Sequence, residues 1–502
     1  TYADKMLDRS VFATWSQVKE MEQSGLVEVA SHTHNLHNGI NANPSGGQLP
    51  SVIAPEYKNG KYETEDAYKN RLKSDFTRTV QTLVNHIGKK PRVMVWPYGQ
   101  FNDVSVQIAR QAGMPHYFSL GEKIINKVGD KHIGRLLLNA ETDLNTVKNY
   151  LDGIDESKQI QRVLHIDLDY VYDADKAQQA KNLDKLIDRI YRYGVTTVYL
   201  QAFSDPDGDG VADALYFPNK YLPVRDDIFG RIAWQLQTRA GVQVYAWMPV
   251  LAFDLRKSVK EAEYVIDSRT GKPSTKAYLR LSPYNKQNVE IIKSIYNDLS
   301  FYAKFNGILF HDDAFLTDFE GAEGNHAEGM VSPQAKQKTQ DLIQLTHQLT
   351  DALKPYFLRG SYSLKTARNL YASVITNPNA EEWLAQNLKT LTDNYDTTAI
   401  MAMPYMENEQ PISQQEAYQW FASLIENVKA QAPLDKVLFE FQAVNWRTQK
   451  PIPESELIDW MKLLQKNHIY SYGYYPDNFL TNQPDLNKMK PYFSVNTNVG
   501  KP

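Results

Sequence analysis

The feature that most constrains this chain is a rhythm in its second part, where eight short β-rich runs alternate with longer amphipathic stretches. The runs lie at 162–171 (RVLHIDLDYV), 195–203 (VTTVYLQAF), 242–251 (VQVYAWMPVL), 307–314 (GILFHDDA), 357–362 (FLRGSY), 397–405 (TTAIMAMPY), 437–444 (VLFEFQAV) and 469–475 (IYSYGYY). Helical patterns fill most of the gaps, for example 180–193 and 289–301. Apolar runs alternating with helices imply parallel strands whose two faces are both covered. Eight such units predict a complete (β/α)8 barrel of the TIM type. A doubly wound open sheet is the structural rival, but no G-x-G-x-x-G follows the first run, which weakens its dinucleotide-binding form.

A chain of 502 residues is too long for one ordinary domain. The part before the rhythm has fewer units: strand-like runs at 25–31, 92–97 and 116–120, with a helix over 68–87 between the first two. Three or four strands close no barrel, so residues 1–152 read as the later portion of a larger α/β domain. A short polar stretch at 153–161 reads as a linker, 162–485 as the barrel and 486–502 as a tail. The sharpest local motif is Ser31-His32-Thr33-His34-Asn35-Leu36-His37, directly after an apolar run. Imidazoles clustered at a strand end can converge on one divalent ion such as zinc, iron, nickel or cobalt. The simpler alternative is a loop of hydrogen-bonding histidines.

In (β/α)8 enzymes the chemistry sits at the C-terminal ends of the strands, and acids gather there in this sequence. The fourth run ends His311-Asp312-Asp313, Asp254 follows the third, and Glu440 lies inside the seventh. Asp167 and Asp169 lie in the first run, Asp205 to Asp213 follow the second, Glu407 and Glu409 the sixth, and Asp477 the eighth. Acids within apolar strands are costly to bury, which makes Asp312, Asp313 and Glu440 the informative ones. Glycoside hydrolysis needs carboxyl groups flanking the scissile bond. Asp312 is therefore expected to be catalytic, Asp313 to support it or orient substrate, and His311 to tune either. Trp446 and Tyr474, near strand ends, are expected to stack on sugar rings. The segment Asp205-Pro206-Asp207-Gly208-Asp209-Gly210 looks like a calcium loop, but its twelfth position is Tyr216 and no helix–loop–helix surrounds it, so it reads as an acidic lip.

With these motifs, the chain resembles the poly-β-1,6-N-acetylglucosamine N-deacetylases of the PgaB type, whose first domain is a family-4 carbohydrate esterase. The spacing of His32 and His37 matches that branch's metal pair, and Trp96-Pro97-Tyr98-Gly99 matches its aromatic-Pro-Tyr segment. The resemblance implies that Trp96 and Tyr98 wall the sugar pocket and that a divalent metal (Zn, Ni, Fe or Co) is the cofactor. It also implies a first-strand Asp-Asp pair supplying a base and a third ligand. No such pair lies upstream of His32, where the acids are Asp4, Asp8, Glu20, Glu22 and Glu28. The expectation is a chain that starts after that motif and is a poor deacetylase. In the barrel, the His311-Asp312-Asp313-Ala314 segment matches the family's essential-aspartate motif, which implies endo-hydrolysis of the partly de-N-acetylated polymer.

Charge fits such a partner. The 55 Lys and Arg against 59 Asp and Glu give no basic excess for nucleic acid. An acid-rimmed groove attracts a glycan whose freed amines are protonated, and 31 tyrosines supply flat faces with polar tips. There is no cysteine, which is compatible with the periplasm, and no apolar run long enough to span a membrane. The start at Thr1 rather than Met points to processing or a chosen boundary. The family resemblance adds a periplasmic, outer-membrane-associated setting and an export porin as a possible second partner. Two functional readings stay open: a hydrolase, or a barrel that grips the cationic polymer and guides it to an export pore without cutting. An amylase- or chitinase-like enzyme lacks its D-x-x-D-x-D-x-E signature.

Overall fold

The computed structural model describes residues 12–120, 125–140, 142–152, 160–274, 277–321, 331–360, 363–408 and 410–496. The chain divides into two compact units: Thr1–Ser157 with Ser300–Lys304 and Leu353–Ser363, and the remainder of Lys158–Pro502. Most of the expected linker lies outside the described residues. Gln161 already belongs to the second unit's sheet, since its carbonyl accepts the Tyr472 N–H at 3.0 Å.

In the first unit, strands Val93–Val95, His116–Leu120 and His132–Arg135 form a parallel three-stranded sheet. The run at 25–31 adds only a single parallel bridge, Ser31 to Met94. The helix Glu65–Ile87 begins where the Thr64 hydroxyl accepts the Ala67 N–H and ends at Gly88, which takes the left-handed conformation at φ 78°. Its buried residues Tyr68, Leu72, Phe76, Thr79, Leu83 and Ile87 recur at helical spacing, and the first three share a core with Met94, Trp96, Phe101 and Tyr117.

The second unit is a closed, all-parallel barrel of eight strands. These are β1 (Arg162–Ile166), β2 (Thr197–Gln201), β3 (Gln243–Met248), β4 (Gly307–Phe310), β5 (Lys365–Tyr371), β6 (Thr397–Ala402), β7 (Val437–Gln442) and β8 (Tyr472–Tyr475). Pairing runs in chain order, and β8 closes on β1 through Gly473 and Val163. Close approach is required there: a Cβ on Gly473 would lie 2.5 Å from the Val163 carbonyl oxygen. The first crossover helix, Lys176–Tyr193, is capped by Asp175 and stopped by Gly194 at φ 71°, and it buries Leu183, Leu186, Ile187, Ile190 and Tyr193 against the barrel.

Two expectations need correction. The fifth strand is not 357–362. Arg359 instead exchanges backbone hydrogen bonds with Phe101 (3.1 and 2.8 Å), inside the first unit. The true β5 reads KTARNLY and escapes a hydropathy scan because it buries two adjacent polar residues, Asn369 facing Glu440 inside the barrel and Arg368 facing Tyr395 on the other side. The expected tail begins with a helix, Leu486–Phe493, whose Leu486, Met489 and Phe493 are buried and whose neighbours are the helices Lys176–Tyr193 and Glu454–Lys466. Asp485 caps its start by accepting the Lys488 N–H at 3.1 Å.

Candidate active site at the barrel mouth

Because side chains alternate along a strand, residues two apart share a face. In β1 the inward residue is His165, whose Nδ1 lies 2.7 Å from Glu440 Oε1 on β7. The ring stacks on Trp247 of β3 at 4.9 Å and 12°. Asn369 of β5 donates to the other Glu440 oxygen at 2.9 Å. This buried polar layer crosses the barrel. One step nearer the C-terminal rim lie Asp167, His311, Tyr371 and Tyr475.

Asp312 is the centre of the rim. Its Oδ2 accepts the hydroxyls of Tyr278 (2.9 Å) and Tyr371 (2.7 Å), and its Oδ1 lies 2.9 Å from His311 Nε2. Burial alone would raise its pKa, but the His311 charge and these hydrogen bonds outweigh it and hold the carboxyl below the usual range. For His311 burial works against protonation, yet the carboxylates of Asp312 and Asp313 win and raise it. Each partner thus favours the charged form of the other, imidazolium beside carboxylate. Asp312 is an anion at neutral pH, suited to stabilise positive charge, to attack, or to accept a proton. It is not the group that gives one away.

Several expected site residues play other parts. Asp313 has no exposed surface, and its oxygens accept the backbone N–H groups of Val250, Leu251 and Ala252 at 2.6–3.0 Å. It holds the turn after β3 and has no free edge for substrate. Glu440 is 1% exposed, with both oxygens committed to His165 and Asn369, so it braces the barrel interior rather than meeting a sugar. Tyr474 points out toward the helix layer, where its hydroxyl bonds Asp477 at 2.5 Å and lies 3.2 Å from that of Tyr193. The alternation explains this, since its neighbour Tyr475 takes the inward side. Asp254 is clasped by the Arg256 guanidinium in a two-pronged ion pair (2.8 Å each), which keeps its pKa low. His311 touches Asp312 first and is almost fully covered. Trp446 is half-buried in the loop after β7, its ring 6.1 Å from that of Tyr475.

Sequence reasoning missed Tyr278, Tyr371 and the prominence of Asp167. Tyr371 ends the strand that was misplaced, and Tyr278 sits in a loop with no periodicity. Tyr278 did leave one trace, Gly210 in the acidic lip. A Cβ there would lie 2.0 Å from Tyr278 Cε1, and Gly210 has φ 79°. Gly210→Ala should displace the ring from Asp312 and lower turnover about tenfold or more, the worth of one hydrogen bond to a charged group. A variant that keeps parental kcat would show the tyrosine is not needed on Asp312. Asp205, Asp207 and Asp209 gather carboxylate oxygens within 4.8 Å of one another in the same lip.

The histidine cluster resolves into a pair. The rings of His32 and His37 lie 4.7 Å apart, edge to face. His32 Nδ1–H donates to the Val95 carbonyl at 2.7 Å, which leaves Nε2 as its free lone pair. Burial and the neighbouring His32 lower the pKa of His37, favouring the neutral imidazole that binds metals. Both rings therefore fit a metal. Among the described residues no third His, Cys, Asp or Glu completes a cluster with them. Tyr98, exposed and at φ 57°, packs its ring 4.6 Å from His37. Trp96 does not wall a pocket: it is 0% exposed and stacks on Phe101 in the core. The turn at Pro97 sends Tyr98 outward and leaves Trp96 behind on the sheet.

Comparison with known proteins agrees with this division. Residues 4–117 match the polysaccharide deacetylase family model, and residues 165–475 match the model described as hypothetical glycosyl hydrolase family 13. The glycoside hydrolase domain of PgaB (BpsB) from Bordetella bronchiseptica is 38% identical with a TM-score of 0.61, over 68% of this chain and all (100%) of that one. A poly-β-1,6-N-acetyl-D-glucosamine N-deacetylase from Staphylococcus aureus (strain COL) is 27% identical over 144 residues, 28% of this chain and 43% of that protein. Fold, rim chemistry and family models together define a hydrolase in which a glycoside hydrolase barrel follows polysaccharide deacetylase sequence. Across 98% of its length the chain is 39% identical to the poly-β-1,6-N-acetyl-D-glucosamine N-deacetylase of Escherichia coli (strain K12), spanning 76% of that protein. The chain belongs to this family, the PgaB-type N-deacetylases.

Proposed function

We propose that the barrel cuts partly de-N-acetylated poly-β-1,6-N-acetyl-D-glucosamine within the chain, and that the first unit forms part of the N-deacetylase site acting on the same polymer. The observation that carries the hydrolase reading is Asp312, a buried carboxylate held anionic at the C-terminal rim by His311, Tyr278 and Tyr371. A binding surface alone has no need to desolvate a charge in this way. The acids around the rim (Asp169, Asp205, Asp207, Asp209) supply the field that draws a glycan bearing free ammonium groups. Trp446 and Tyr475 offer faces for its rings.

In the first unit, His32 and His37 would hold a divalent metal together with a ligand from outside the described residues, and Tyr98 would border the sugar. The bound metal would polarise an acetamide carbonyl and activate water. His32, oriented by Val95, and His37, kept neutral by burial, present the imidazoles. The setting we propose is periplasmic, associated with the outer membrane, where the modified polymer passes to an export porin. The relatives' substrate and the cysteine-free composition support it.

The test is product analysis by mass spectrometry after incubation with partly de-N-acetylated β-1,6-glucosamine oligomers. Shorter oligomers are expected. Binding without cleavage would instead favour a barrel that only guides the polymer.

A further inference from the structure

An anionic Asp312 cannot itself give the proton that the departing glycosidic oxygen needs. We propose that Asp167 is that donor, the catalytic residue that protonates the glycosidic oxygen while Asp312 carries the negative charge opposite the developing cation. The inference rests on the reading of the barrel as a hydrolase.

Asp167 directly follows β1, and its backbone is still extended (φ −79°, ψ 122°), so the strand's alternation carries it to the inward face above His165. It is 8% exposed, as shallowly sunk as Asp312 at 6%. The Tyr475 hydroxyl faces it and favours its ionised form. Tyr475 is also the ring beside Trp446, and its ring centroid lies 5.5 Å from that of Trp247, itself 5.2 Å from that of His311. Asp167 and the His311–Asp312 pair are thus set on one aromatic floor.

The neighbouring acids are otherwise engaged. Asp169 is paired with Arg225 and accepts hydrogen bonds from Tyr216, Ser204, Gln201 and the Asp205 amide. Asp205 accepts three backbone N–H groups of its own loop, at Gly208, Asp209 and Gly210. Glu407, at the rim after β6, accepts the Ala372 N–H at 2.8 Å and is further held by Ser373, which makes it a cap on a short helix.

The electrostatics suit a donor. The groups facing Asp167 are Asp169 and Tyr170 on its own stretch, Asp205 from the lip after β2, His311 from β4 and Tyr475 from β8. Burial first, then the Asp169 charge, push its carboxyl up to about 8, against the pull of Tyr475 and His311. It holds its proton at neutral pH beside a partner that does not, the division of roles that acid–base pairs use. In the step, the Asp167 proton passes to the glycosidic oxygen and the C1–O electron pair goes with that oxygen. Water then supplies hydroxide to C1 and one proton, which restores the starting protonation of the carboxyl pair.

Asp167→Asn and, separately, Glu407→Gln in the full chain test this. Substrates are the partly de-N-acetylated oligomer and its nitrophenyl glycoside, whose leaving group departs without a proton. For Asp167→Asn the expected result is a loss of about 10²–10⁴-fold in kcat/KM on the oligomer. Activity on the nitrophenyl glycoside should be largely kept, and the fall in rate as pH rises through about 8 should disappear. Stability gives an independent check on folding. A carboxyl whose pKa is raised on folding stabilises below its unfolded value and loses that contribution as pH rises to about 8. The Asn variant should therefore melt no lower than the parent at pH above 8. Equal losses on both substrates, or an alkaline limb that survives in Asp167→Asn and vanishes in Glu407→Gln, would overturn the assignment. A parent that cleaves neither substrate would sink the hydrolase reading itself.

Discussion

Asp312→Asn is expected to lower kcat on the oligomer by about 10³-fold, the scale of removing one preorganised electrostatic group from a water-poor site. The amide keeps the shape and still accepts from Tyr278 and Tyr371, but it carries no charge to meet the cation that develops at C1. Binding should change little, because the field that gathers the polymer comes from many acids around the rim. His311 should change with it. Its pKa is raised chiefly by the neighbouring carboxylates acting against burial, so loss of the first of them should move it down. The measurements are single-turnover rates, a binding isotherm, and the imidazole titration followed by NMR. A variant with parental kcat would remove Asp312 from the chemistry.

Asp313→Ala should instead act on stability, by roughly 3–5 kcal/mol, since it strands three buried backbone N–H groups with no water to replace the carboxylate. Val250, Leu251 and Ala252 form the turn that leaves β3 toward the rim, and they donate to Asp313 and not to one another. Asn in this place keeps one acceptor oxygen and should cost less. Denaturant titration checks both. If the Ala variant unfolds at the parental midpoint while turnover collapses, then Asp313 belongs to the chemistry after all. The contrast between the adjacent aspartates is a matter of one peptide: His311 and Asp312 meet at the rim, while Asp313 is already turned back toward the β3 loop.

The barrel was legible because its strands are apolar runs of the right length at regular spacing, a pattern set by burial on both faces. Seven of the eight runs contain a barrel strand. The fifth run, 357–362, does not, and it failed where the pattern fails physically. β5 carries Arg368, which donates to the Tyr395 hydroxyl and the Ala314 carbonyl, and Asn369, which donates to Glu440 across the barrel, partners that no local window contains. The apolar FLRGSY segment was a good strand by composition but found its backbone partner at Phe101. The same limit explains Tyr474 and Trp96, each an aromatic beside the residue that faces the site. A shift of one position sends a side chain to the opposite face, and propensity is blind to which way the alternation is set.

The order of residues by itself determined the fold class, the chain's division into two parts, the strand ends that carry acids, and the histidine pair at the family's spacing. Those are local facts, written in hydrophobic period and in residue chemistry along one stretch of chain. Tertiary structure alone decided which acids are free. Closure of eight strands brings Tyr278, Tyr371 and His311 onto Asp312, buries Asp313 and Glu440 under their own hydrogen bonds, pairs Asp254 and Asp169 with arginines, and leaves Asp167 beside Tyr475. A carboxyl's charge depends on what surrounds it in three dimensions, on desolvation and on neighbours contributed by distant strands.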